Sequence, residues 1–168
     1  MAEHGLPKPR MRVRFSLPAP IIIKNFKVIL NMSKEKQKAI ELFYKRYNCT
    51  QAIFIAYSSK FGFNEEDAFK LSYGFGGGIA STENLCGVIS AAVMLLSLKY
   101  AASNINDIKS KEIAKAKIQE FMSKFNTNHA KLNCRDILRE NSPTVYPRHS
   151  EKCLMLVSEV CDFLDKEL

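Results

Sequence analysis

The sequence predicts an all-α protein, a compact bundle of about six to seven helices around a buried apolar central helix. Apolar residues recur at spacings of three and four along most of the chain, and no strand-like alternation appears between Ser33 and Leu168. The 14 residues 85–98 are almost entirely apolar, which is too short for a membrane span and typical of a buried helix. These patterns favour helix-on-helix packing.

Three capped helices are predicted before residue 74. Each begins after a residue whose side-chain oxygen can accept a hydrogen bond from a free backbone N–H of the first turn. The caps are Ser33 for a helix reaching Tyr47, Asn48 for one ending near Gly62, and Asn64 for one from Glu65 to about Tyr73. Residues 74–78 then end the third helix, because four glycines in five residues do not sustain a helix.

Three further helices are predicted after the apolar segment. Ser110 caps the first of them, and a short helix runs from about Cys134 to Glu140. The last helix follows a break that contains two prolines, Pro143 and Pro147.

Residues 1–31 look foreign to this fold. Four prolines interrupt them, they lack helical or strand periodicity, and Met32 stands directly before the capped start at Ser33. Residues 13–15, Val-Arg-Phe, can be encoded by a nucleotide sequence that resembles the conserved T-loop of transfer-RNA genes. We therefore expect residues 1–31 to be an extension outside the domain, either a start-site artefact or a disordered basic tail. Residues 32–168 are expected to form a helical four-cysteine domain.

The net charge of +8 arises mostly in that extension. It holds six basic residues against one acidic residue, which leaves +3 for the remainder, where charges alternate in sign as on a solvated helix surface. We therefore expect no nucleic-acid partner. No apolar stretch reaches the ~20 residues of a membrane span, and no export signal is present, so we expect a cytoplasmic protein with reduced thiols.

Four of the five cysteines lie at predicted helix starts: Cys49, Cys86, Cys134 and Cys153. Free backbone N–H groups and the helix dipole stabilise a thiolate there, which lowers a thiol pKa from ~8.5 toward neutrality. Thiolates attack disulfides and bind metals, so these four are candidate catalytic residues and, alternatively, candidate metal ligands. We expect them to converge at one end of the bundle, with Cys86 as the candidate thiolate and Cys49 as its partner.

The remaining cysteine and two histidines receive other interpretations. Cys161 lies in mid-helix between Val160 and Leu164 and is interpreted as a core residue. His129 and His149 precede Cys134 and Cys153 by five and four residues, and are interpreted as surface residues, with a role as ligand or base as the alternative.

Several stretches together resemble the redox-active family named for its C_GCAxxG_C_C cysteine pattern. They are Asn48-Cys49-Thr50-Gln51-Ala52, Gly74-Phe75-Gly76-Gly77-Gly78, Cys86-Gly87-Val88-Ile89-Ser90-Ala91, Asn133-Cys134-Arg135, and Cys153. The resemblance runs from about Met32 to the C-terminus. The chain departs from the family motif at Val88, where the motif has alanine, and at Ala91, where it has glycine. The resemblance implies redox activity and leaves the substrate open.

Three functions stay open. The favoured one is thiol–disulfide or electron-transfer chemistry with a redox partner or a small-molecule substrate, which would make the protein a thiol-dependent oxidoreductase. The second is a zinc or iron–sulfur site on the same four cysteines, although their gaps of 37, 48 and 19 residues differ from the local pairs of zinc ribbons and ferredoxins. The third is a helical interaction module without chemistry. The cofactor, the disulfide pairing and the oligomeric state are left undetermined.

Overall fold

Seven α-helices account for most of the residues that the computed structural model describes, 32–139 and 150–168. They are α1 Lys34–Tyr44, α2 Cys49–Ser58, α3 Glu65–Tyr73, α4 Gly87–Tyr100, α5 Ile108–His129, α6 Cys134–Arg139 and α7 Glu151–Glu167. Within these two ranges there is no strand, although an isolated antiparallel bridge pairs Leu85 with Asn133. The predicted all-α fold class is confirmed.

The predicted caps of the first three helices are confirmed. Ser33, Asn48 and Asn64 have extended backbones, and the side chain of each accepts a hydrogen bond from a first-turn N–H. The predicted cap of α5 is wrong, because Asp107 occupies that position three residues earlier. The Asp107 carboxylate accepts hydrogen bonds from both the backbone N–H of Ser110, at 3.0 Å, and its hydroxyl, at 2.6 Å.

Helix α4 is the predicted central helix, and it packs against α2, α5 and α7. Residues 87–92 of this helix are buried without a break, together with Leu95 and Leu96, so the helix has no polar face over its first turns. Val88 and Ala91, the two departures from the family motif, are fully buried. The extra bulk of both side chains is therefore accommodated within the core.

Polar contacts join α7 to the first two helices. The hydroxyl of Tyr57 donates to Asp165 at 2.6 Å, and the Ser33 hydroxyl donates to the same carboxylate oxygen at 2.8 Å. Lys36, which is buried, pairs with Asp162 at 2.6 Å. These contacts hold the helix that carries Cys153 and Cys161 against α1 and α2.

Two sequence expectations lie outside the described residues. They are the extension 1–31 and the proline-containing break between α6 and α7, which includes His149. Among the helices that the structure describes, none combines the length and the apolar character needed to cross a membrane.

Candidate functional site

Residues 74–84 form a tight left-handed loop, the glycine loop, beside the start of α2. Five successive residues, from Gly77 to Ser81, have positive φ angles, and three of them are not glycine. The left-handed region costs a non-glycine residue roughly 1–2 kcal/mol. Backbone hydrogen bonds such as Ala80 N–H to Gly74 O, at 2.7 Å, hold this geometry.

Cys49 is the first residue of α2, and the glycine loop lies directly against it. Asn48 and Gln51 close a capping box around this helix start. Gly76 lies so close to the Asn48 side chain that a Cβ at that position would overlap it. The next residue, Gly77, donates its backbone N–H to the Cys49 sulfur. The loop glycines thus allow the backbone to reach both the cap and the thiol.

The contacts around Gly87 explain why a glycine follows Cys86. A Cβ at this position would lie 2.5 Å from the Cys49 Sγ, 2.5 Å from the Thr50 Oγ1 and 3.1 Å from the Phe75 carbonyl oxygen. The Thr50 hydroxyl also donates to the Gly87 carbonyl at 3.0 Å. The start of α4 therefore packs directly on the Cys49 sulfur, next to Cys86.

Cys86 and Cys134 lie on two short extended segments that pair with each other. Cys86 N–H donates to Leu132 O at 2.9 Å, and Cys134 N–H donates to Asn84 O at 2.7 Å. In an antiparallel pair of this kind, Cys86 and Cys134 are diagonal neighbours on one face, because side chains alternate along each segment. Both residues are buried.

Cys153, the fourth candidate cysteine, lies in the first turn of α7. Its backbone N–H donates to the hydroxyl oxygen of the cap residue Ser150 at 3.4 Å, and that hydroxyl lies 3.6 Å from the Cys153 Sγ as a donor. Cys153 is partly exposed. It lines one cavity of about 470 Å³ together with Cys49 and Cys134. The structure therefore brings three of the candidate cysteines to one cavity, with Cys86 beside them.

Burial reverses the pKa direction expected for two of these thiols. Desolvation raises the pKa of Cys49 above its ordinary value of 9.0, although the N–H of Gly77 opposes the rise. Desolvation also raises the pKa of Cys86, and negative charge on Cys49, Cys134 or Cys153 raises it further. The expectation that Cys86 is a low-pKa thiolate is wrong, because the loss of water around the sulfur outweighs the helix start.

Cys161 is fully buried in α7, which confirms its interpretation as a core residue. Burial raises the pKa of its thiol to about 12. The stability that this residue contributes is thus fully present below the unfolded-state pKa of ~8.5 and is lost as the pH rises toward the folded value.

The difference in unfolding free energy between the wild type and Cys161→Ala is therefore expected to shrink above about pH 9. The expected slope is about 1.4 kcal/mol per pH unit, because the unfolded chain loses a proton that the folded chain keeps. Urea unfolding of both proteins under reducing conditions, at several pH values from about 8 to 10, measures this slope. A difference that stays constant with pH would contradict the buried position of the thiol.

A role for His129 as ligand or base and the metal alternative receive less support from the geometry. His129 lies on α5 and pairs with Glu159 at 2.9 Å, while its ring packs on Phe125. Among the described residues that line the cysteine cavity, there is neither a histidine nor an acidic residue. Within residues 32–139 and 150–168, no three His, Cys, Asp or Glu side chains are arranged to hold a metal ion.

The cavity also has walls that the sequence did not indicate. Arg46, Tyr73 and Ser81 line it alongside the cysteines. They come from the end of α1, the end of α3 and the glycine loop. No local motif marks them, since they reach the cavity only through the packing of separate elements.

Comparisons with known proteins agree with the cysteine pattern. A family model described as "Putative redox-active protein (C_GCAxxG_C_C)" matches residues 47–167. An "Uncharacterized protein" of Archaeoglobus fulgidus is 27% identical over 144 residues, which cover 77% of this chain and 89% of the relative. No solved structure matches the chain.

Proposed function

Because the chain belongs to the C_GCAxxG_C_C redox-active family, we propose that it is a thiol–disulfide redox protein. Its working groups are Cys49, Cys86, Cys134 and Cys153. The observation that carries this proposal is that three cysteines from separate helix starts line one cavity, while the fourth, Cys86, precedes the glycine that packs on the Cys49 sulfur. Cysteines that served only as small core residues would have no reason to gather in this way.

Cys153 is the best placed of the four to begin the reaction. Cys49 and Cys153 are both partly exposed and both line the cavity, and the Ser150 hydroxyl is positioned to donate a hydrogen bond to the Cys153 sulfur. A hydroxyl donor and the free N–H groups of a helix start both stabilise a thiolate. Cys86 is a poorer first nucleophile, because burial favours its neutral form.

Cys49 is the proposed resolving residue. The Cys153 thiolate attacks one sulfur of a substrate disulfide and expels the other sulfur as a thiolate, which takes up a proton. Cys49 then loses its proton and attacks the Cys153 sulfur of the mixed disulfide, so that the second substrate thiol leaves. In total, two protein thiols lose two electrons and two protons to the substrate disulfide, and one protein disulfide forms.

The raised pKa values of Cys49 and Cys86 keep both thiols neutral at rest, so Cys49 has to lose its proton before it attacks the mixed disulfide. Neutral thiols and a neutral disulfide are both compatible with a buried site, whereas a lasting thiolate there is costly. In this proposal Cys86 and Cys134 form a second pair, which takes up oxidation from the Cys49–Cys153 disulfide by thiol–disulfide exchange. Cys49 and Cys86 are therefore uncharged both in the reduced dithiol state and in the oxidised disulfide state.

Thiol counting on anaerobically purified protein tests the proposal. Oxidation with diamide is expected to reduce the number of alkylatable thiols from five to three or to one, as seen by mass spectrometry. Dithiothreitol is expected to restore all five, and Cys161 is expected to stay alkylatable after unfolding throughout. Stoichiometric zinc or iron in the same samples, with no reversible loss of thiols, would instead support the metal-binding alternative and overturn the proposal.

A further inference from the structure

Arg46 occupies an unusual backbone position at the end of α1. The Arg46 N–H bonds to Phe43 O at 3.0 Å, and the Tyr47 N–H bonds to Leu42 O at 3.1 Å, which is the Schellman arrangement of a helix end. Arg46 itself has a φ of 71°. Glycine or asparagine is usual at this position, because a larger side chain costs roughly 1 kcal/mol or more there.

Arg46 is exposed and is one of the residues that line the cysteine cavity. It is the one basic or acidic residue among the described residues of that lining, since no Lys, His, Asp or Glu belongs to them. The neighbouring Lys45 is different, because it pairs with Glu41 at 2.5 Å. Within the described residues, the Arg46 guanidinium has no ion-pair partner of its own.

The size of the cavity limits what it can hold. A volume of about 470 Å³ is in the range of sites for small molecules. Phe43 and Leu138 are apolar residues of its lining, and Ser81 is a polar one. An organic molecule with a short apolar stem and an anionic end fits these walls.

We propose that the cavity binds a small organic disulfide or thiol that carries a carboxylate, with Arg46 as the group that recognises the anion. The proposal rests on the thiol–disulfide function and names its substrate class. Arginine presents a rigid fork of N–H donors that matches a carboxylate with two parallel hydrogen bonds. The carboxylate then holds the substrate disulfide over Cys153 and Cys49, whose exchange reaction follows the steps given above.

Three disulfides of similar size and different charge test the proposal. Dithiodipropionate is anionic, hydroxyethyl disulfide is neutral and cystamine is cationic. The reduced protein is mixed with each at low salt, and the rate of thiol loss is divided by the rate of the same disulfide with mercaptoethanol. We expect the wild type to prefer dithiodipropionate over hydroxyethyl disulfide by about tenfold, with cystamine slowest.

Matched variants locate the source of the preference. Arg46→Gln is expected to remove the preference for the anion, whereas Lys45→Gln, one residue away and outside the cavity lining, is expected to retain it. Arg46→Lys is expected to restore it in part, because the charge returns without the fork. Melting temperatures of all three variants show that each protein is folded.

The outcomes separate this proposal from the function on which it rests. Equal corrected rates for the three disulfides, or a preference that survives Arg46→Gln, would overturn the role of Arg46 and leave the redox function standing. A protein whose cavity thiols react with none of the disulfides would overturn both.

Discussion

Gly87→Ala is expected to lower the free energy of unfolding by about 2 kcal/mol or more. The new Cβ would lie 2.5 Å from both the Cys49 Sγ and the Thr50 Oγ1, which forces the start of α4 away from α2. Overpacking of this kind typically costs about 1–3 kcal/mol, and loss of the Thr50 hydrogen bond adds about 1 kcal/mol. The gain in helix propensity, at most about 1 kcal/mol, does not offset this sum.

Gly74→Ala is the matched control for that variant. Gly74 has an ordinary φ of −68°, and an added Cβ would meet no atom within 4 Å. The change is expected to be neutral or to stabilise the protein by about 0.4–1 kcal/mol through the unfolded state. Urea unfolding under reducing conditions compares the two variants with the wild type. Equal stability of Gly87→Ala and Gly74→Ala would show that the Cys49 sulfur does not pack on Gly87.

Cys153→Ser is expected to slow oxidation of the protein by small disulfides by at least about 100-fold, because a serine hydroxyl does not replace a thiolate as nucleophile. Cys49→Ser is expected to behave differently. Without the resolving thiol, the mixed disulfide on Cys153 accumulates and adds half of the substrate disulfide to the protein mass. Mass spectrometry after a brief exposure to dithiodipropionate distinguishes the two variants.

Cys161→Ala is the control for these substitutions, since this thiol is fully buried in the core. It is expected to cost about 1 kcal/mol or somewhat more as a small cavity and to leave the rates of oxidation unchanged. Oxidation of Cys153→Ser at the wild-type rate would rule out Cys153 as the entry thiol. A stable adduct on Cys86 in that variant would assign the first attack to Cys86 instead.

The helix starts could be predicted because their signals lie within a few residues. Ser33, Asn48 and Asn64 each accept a hydrogen bond from an N–H three residues later, so the sequence around each cap contains the whole interaction. The same reasoning failed at Ser110, because Asp107, three positions earlier, is the residue that caps the helix. A local pattern thus identifies a helix more reliably than it selects between two neighbouring caps.

The sequence by itself determined the all-α fold, the central helix α4 and the position of each candidate cysteine at a helix start. Only the tertiary structure decided how those cysteines behave. The pKa of a thiol depends on how much water surrounds it, and water is removed from Cys49 and Cys86 by elements that are distant along the chain. The place of Arg46 in the cavity was decided in the same way. Caps and apolar periodicity act over one or two turns, whereas desolvation and cavity shape arise only when separate helices meet.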